Sequence, residues 1–330
     1  DPTCGAAALG PPPRARAEDT SRMATRTDPL PADPGAGRPS LLARVSPAVW
    51  FLAPAVVTLA AIGIYPLGVA LVNSMHRYNL ARPNAPTPFV GFDNYAAVLS
   101  DPSFWGAVSR TFGFLAIVLP LELVLGVAVA LALHRPGLGL MRAVTRVSLV
   151  IPIATTYAVV GLIGRLVFNR QFGVANQFLS WLGIPPVDWL GDPTLAFAAI
   201  AVMDVWQWTP FCALILLAGL TMVPRETEEA ARLETTSAWR IFRHLQLPYL
   251  MPGITAILIL RTADVIKLFD AVFVMTRGGP GTATELVSVY VQRVAFRVFD
   301  QGLASAQAMI LLVITIVLSR LYIRIVYREI

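Results

Sequence analysis

Six apolar runs, each close to the roughly 20 residues that carry a helix through a hydrocarbon core of about 30 Å, constrain this sequence more than anything else in it. They cover residues 48–72, 111–133, 147–164, 195–223, 249–276 and 303–319. The first, third and sixth carry no charge; the second holds only Glu122 and the fourth only Asp204. A soluble fold would have to cover all six with polar surface. With 14% charged and 56% hydrophobic residues, against about 25% charged in a typical soluble domain, the chain lacks that surface. The expectation is an all-α membrane protein with six transmembrane helices.

Residues 1–47 are rich in Pro, Gly, Ala and Arg, have no apolar run, and lack the charged-apolar-small order of a signal peptide. They read as a disordered cytoplasmic N-terminal segment ahead of a transmembrane domain over 48–330. Basic residues favour both termini inside. Under that orientation the inner loops and tail carry ten (Arg135, Arg142, Arg146, Arg225, Arg232, Arg240, Arg243, Arg320, Arg324 and Arg328), the outer loops eight, and the N-terminal segment six more arginines.

Several chemistries are poor fits. Cys4 and Cys212, and His76, His134 and His244, are too dispersed for a metal cluster or a disulfide framework. The single lysine, Lys267, sits in Val265-Ile266-Lys267-Leu268 and not in a phosphate-binding loop. No His-Glu-x-x-His or Gly-x-Ser-x-Gly pattern occurs. The expectation is therefore no catalytic residue, no metal site, no cofactor held by this chain and no nucleic-acid partner. Trp105, Trp181 and Trp189 stand in or beside the outer loops, where such aromatics either anchor at the membrane interface or meet an outer soluble partner.

The loop over 224–248 has the makings of a helix on the inner side. Pro224 suits its entrance, Glu226, Glu228 and Glu229 crowd the positive end of its dipole, Arg240 and Arg243 lie toward the negative end, and Pro248 is expected to stop it. Ala230, Ala231 and Leu233 give it apolar residues with no bilayer to bury in, so a protein surface is the natural acceptor.

Glu229-Ala230-Ala231, then Glu234, then Leu245-Gln246-Leu247-Pro248, resembles the EAA loop of binding-protein-dependent ABC importer permeases, with Thr235 in place of the family's glycine. Phe269-Asp270 through Thr276-Arg277-Gly278-Gly279-Pro280, followed by Thr284, Tyr290 and Ala295-Phe296, is similar to the signature of the first permease in carbohydrate importers of the maltose and glycerol-phosphate type. Val90-Gly91-Phe92-Asp93-Asn94-Tyr95 resembles that subfamily's first outer loop. The resemblance covers roughly 45–330, and the Arg-rich composition is similar to that of actinobacterial trehalose importer permeases.

What the resemblance implies is a type I ABC importer permease fold in a bacterial cell membrane, both termini inside. It implies pairing with a second homologous permease, two ATPase subunits that hold ATP and Mg, and a sugar-binding protein or lipoprotein outside. A coupling helix from Glu226 to Arg240 would dock on the ATPase through Glu226, Glu229, Ala230, Ala231, Leu233, Glu234 and Arg240. The solute would be a carbohydrate, best a disaccharide such as trehalose; glycerol phosphate, or ion-coupled secondary transport, are the alternatives.

Two polar groups lie inside the apolar runs. Arg261, Asp264, Lys267 and Asp270 alternate in sign at i, i+3, so neighbours can pair along one helix. Steps of about 300° spread them over half its circumference. They either pair against another helix or line the solute path. Asp204, Gln207 and Trp208 share a helical side beside Trp206 and have the chemistry of a sugar site, a carboxylate and an amide for hydroxyls and an indole for the ring face. The other reading is a buried Asp bonded to a neighbouring helix. Glu122, with no second polar group near it in sequence, reads as structural.

Overall fold

The computed structural model describes residues 47–82, 84–134, 144–145 and 147–326. Apart from Pro47, the segment expected to be disordered lies outside them. Two compact units are distinguished, one ending at Leu59 and the other beginning at Ala60. The first contributes the helix α1 (Pro47–Leu59).

In the second unit a single wide π turn, Ala60–Ile64, leads into α2 (Tyr65–Ser74), and α3 (Asp93–Leu99) precedes α4 (Pro102–His134). At 33 residues, α4 is about 50 Å long and so projects beyond the hydrocarbon core. Next come α5 (Val150–Ala154), α6 (Tyr157–Val167), α7 (Val174–Trp181) and α8 (Pro193–Thr221). Asp192 starts α8 sharply, its carboxylate accepting from the Thr194 and Leu195 amides at 2.9 Å with Pro193 in the first turn.

Among the described residues, five segments are long and apolar enough to cross a membrane: Phe51–Ser74, Pro102–His134, Pro193–Thr221, Ala238–Ile266 and Gln301–Arg324. The third expected span differs. Thr155 and Thr156 take extended ψ values of 130° and 150° and split the run 147–164 into α5 and α6. The fifth differs too. α11 (Leu247–Ile266) stops well short of Thr276, and after Lys267–Phe269 a short α12 (Asp270–Met275) begins. α13 (Val287–Phe296) and α14 (Gln301–Val326) follow it.

The core is the seam where α4 runs along α8, with α11 packed against both. Phe114, Val118, Leu216, Leu220, Leu250 and Ile257 are buried in it. A Cβ on Gly126 would come within 2.8 Å of the Cys212 Cβ, so glycine is what lets these two helices approach. A second cluster, including Phe104, Tyr290, Val294 and Ala306, ties α3, α4, α13 and α14 together. Ile117, Leu121, Val313, Ile316 and Val317 remain exposed, the apolar helix faces expected where lipid replaces water.

Candidate functional site

The inner loop folds as two helices where one was expected. α9 (Arg225–Glu234) ends at Thr235, which has φ −150° and ψ 139°. This is extended backbone open to any residue, which is why threonine serves where the resembled family has glycine. Ser237 then caps α10 (Ala238–Ile241), so Arg240 belongs to a second helix. Nor does Pro248 stop the chain. The single π turn Phe242–Gln246 widens the backbone just before α11, and Pro248 falls in that helix's first turn, where a missing amide donor is tolerated.

Glu228 anchors α9. Its carboxylate accepts from Arg232 Nη2 at 2.8 Å and from Gln246 Nε2 at 3.4 Å, and stands 3.3 Å from His134 Nε2 at the end of α4. Burial alone would raise its pKa, but Arg232 and His134 outweigh burial and hold it below the ordinary carboxylate value. A cavity of about 470 Å³ lies here, lined by Leu131, His134, Glu228, Thr235 and Phe242 among others. With Glu228 turned inward, Glu226, Glu229, Ala230, Leu233, Glu234 and Arg240 are exposed and Ala231 is half-buried. Leu233 is 91% exposed and Trp239, on α10, 65%. Sequence reasoning placed Glu228 at the helix entrance and missed its anchoring role. The available signal was Arg232 one turn on.

Inside the bilayer the structure gathers three charges from three helices. Arg261 on α11 donates from Nε and Nη2 to the two oxygens of Glu122 on α4, both at 2.7 Å, and from Nη2 to Asp204 on α8 at 2.5 Å. Exposure is 1% for Arg261, 0% for Glu122 and 4% for Asp204, and the guanidinium lies 4.7 Å from the Trp208 ring centroid. Arg261 therefore pairs against two neighbouring helices, one of the two readings of the charged run, and not with Asp264 one step along its own helix. Only Asp264 and Lys267 pair locally, at 2.9 Å, with the Lys267 side chain 71% exposed. Asp270 lies beyond the break, exposed in the first turn of α12. Glu122 finds its partner 139 positions away in sequence.

Beside this cluster lies the break in the third run. Gln207 Nε2 donates to the Thr155 carbonyl at 2.9 Å, and the Tyr157 and Trp208 rings are 5.9 Å apart. Tyr157 Oη, Gln207 Oε1 and Trp208 Nε1 are all buried without a partner among the described residues. Buried polar atoms are nearly always bonded, so a group of three calls for water or a solute. Irregular backbone at membrane depth is likewise tolerated where it is enclosed by protein or lines a cavity. Of the expected sugar constellation, the structure keeps Gln207 and Trp208 together, turns Asp204 toward Arg261, and adds Tyr157, which sequence reasoning missed. The signal for it was Thr155-Thr156 interrupting an apolar run. Trp206 faces elsewhere, into an apolar groove of about 830 Å³ shared with Ile117, Leu121 and Val202.

The two outer motifs are braces. Arg277, Gly278 and Gly281 have φ of 56°, 89° and 59°, and Thr284 Oγ1 bonds the Thr276 hydroxyl and the Gly279 carbonyl, each at 2.7 Å. Asn94 Nδ2 donates to the Ser74 and His76 carbonyls at 2.8 and 3.0 Å, pinning the end of α2.

Residues 122–328 match the family described as binding-protein-dependent transport system inner membrane component. The sulfoquinovosyl glycerol transport system permease protein SmoG of Agrobacterium fabrum is 35% identical over 279 residues, covering 84% of this chain and 90% of that protein. The trehalose/maltose transport system permease protein MalF of Thermococcus litoralis is 37% identical over 257 residues, covering 76% and 84%. In fold, the chain is similar to one in the crystal structure of a bacterial alginate ABC transporter in complex with an alginate pentasaccharide-bound periplasmic protein. The TM-score is 0.70 at 17% identity, over 83% of this chain and 92% of that one.

Proposed function

This chain belongs to the family of binding-protein-dependent transport system inner membrane components, and from that premise we propose that it is a translocation subunit of an ATP-driven sugar importer. The observation that carries the reading is α9, a helix seated on its own protein by Glu228 while Glu229, Ala230 and the 91%-exposed Leu233 are left for something else to cover. A partner ATPase, two copies of which would bind ATP and Mg, fits that face. Its closure would push α9 as a rigid lever. The push would pass to α4 through His134 and Glu228, and to α8 and α11 through the cluster at Arg261. This chain would supply motion and a path, with hydrolysis left to the partner.

The proposed path runs past Tyr157, Gln207 and Trp208, whose unpartnered polar atoms suit sugar hydroxyls and whose rings suit a pyranose face. Arg261 and Asp204 would act there by holding Trp208 and the helix faces in place, with Asp264 further along α11, Lys267 just past its end and Asp270 at the start of α12. A second homologous permease would close the path, and a sugar receptor outside would load it with both termini of this chain inside. Among solutes we favour a disaccharide such as trehalose. The trehalose/maltose relative supports this, and the sulfoquinovosyl glycerol relative at similar identity makes it a question for assay.

Deleting the chain from its host is expected to abolish uptake of labelled trehalose, and a plasmid copy to restore it. In reconstituted vesicles transport should follow internal ATP and ignore collapse of ion gradients. Loss of another disaccharide's uptake with trehalose uptake intact would overturn the sugar assignment. Transport driven by an ion gradient without ATP would overturn the subunit's proposed role.

A further inference from the structure

We infer that α7 is an interfacial helix that seats in the phospholipid headgroup region at the membrane face reached by the end of α6. Val174, Phe178 and Trp181 recur at i, i+4 and i+7, one side of a helix at 100° per residue, and all three are exposed together with Leu182 and Phe172. The opposite side of α7 is fixed. Asn176, buried, donates from Nδ2 to the Arg170 and Val187 carbonyls at 3.0 and 2.9 Å, and accepts at Oδ1 from the Val187 amide at 3.1 Å and Trp189 Nε1 at 2.8 Å. Gly183, with φ 73°, ends the helix, its amide bonding the Ser180 carbonyl while the Ile184 amide bonds that of Leu179. The apolar side is thus held outward by a built support. Trp189, by contrast, is drawn inward and takes no part in the surface.

Continuity with lipid-facing surface identifies the occupant. On α6, the longer helix of the third apolar run, Val159, Leu162 and Leu166 are exposed along one stripe, and six residues separate α6 from α7. Phe172 falls within that short connection. Arg165, exposed beside Leu162 and Leu166, is placed to reach lipid phosphates, while Arg170 at the rim stands 3.5 Å from Asp188. A receptor that docks and departs would leave five large apolar side chains in water between turnovers. A bilayer covers them throughout the cycle.

Nitroxide labels at Phe178→Cys, Val174→Cys and Gln177→Cys test this in full-length chain with Cys4→Ser and the buried Cys212 retained, assembled with its partner subunits in phosphatidylethanolamine/phosphatidylglycerol bilayers. Positions 178 and 174 are expected to collide several-fold more often with oxygen than with a water-soluble nickel chelate, and position 177 to show the reverse bias. Nickel accessibility at 178 and 174 equal to that at 177 would overturn the inference. So would immobilised spectra at both sites shielded from both relaxants, the signature of a covering protein.

Discussion

Exchanging Arg261 for methionine is expected to destabilise the folded chain by about 3–5 kcal/mol, the range found when one partner is removed from a buried ion cluster. Glu122 and Asp204, which both bond this guanidinium, would be left facing each other with no cation and almost no solvent. The companion chain Glu122→Met/Asp204→Leu/Arg261→Met should regain most of that loss, because replacing a whole buried ion cluster by apolar residues is often neutral or better. Unfolding of each chain by sodium dodecyl sulfate titration from lipid-containing micelles reads both values. A single variant within about 1 kcal/mol of the parent, the scale of an exposed pair, would contradict the cluster's burial. Recovery of stability in the triple variant without recovery of uptake would show that the cluster serves the transport motion as well as the fold.

Reversing one charge on α9 should have a different signature. Glu229→Arg is expected to leave insertion and stability intact, since Glu229 is exposed and lies outside the anchor made by Glu228, His134 and Arg232. Uptake should nevertheless fall to background. A like-charge contact at an interface costs several kcal/mol, and even about 2 kcal/mol is roughly a thirtyfold loss of docking affinity. Unchanged uptake in cells carrying normal amounts of Glu229→Arg would remove the docking role.

These two sites differ in how far the sequence disclosed them. α9 was legible because its signals are local: Pro224 at the entrance, acids in the first turn, and an apolar Leu233 with no bilayer to enter. Its length was not, since nothing in composition distinguishes Thr235 in extended backbone from Thr235 in a helix, and Pro248 reads as a stop unless the π turn before it is known. The crossings that packed as single helices were legible as apolar runs. The breaks at Thr155–Thr156 and after Ile266 left only slight traces, two threonines in one case and Lys267 in the other, because apolar residues resume on the far side of both. The charge cluster was the least legible. Spacing along α11 offered Arg261 a partner in Asp264, while the carboxylates it bonds lie 139 and 57 positions earlier in the chain, on helices brought together in part by the close approach at Gly126.

Cysteine crosslinking at position 233 decides whether α9 meets a nucleotide-driven partner. In membranes importing solute, Leu233→Cys treated with a short bifunctional thiol reagent is expected to give one dominant adduct, containing the ATP-binding subunit. Its yield should change between ATP-bound and vanadate-trapped states. An exposed, reactive Leu233→Cys that yields no adduct with that subunit in any nucleotide state, while uptake continues, would contradict the assignment of α9 as the lever.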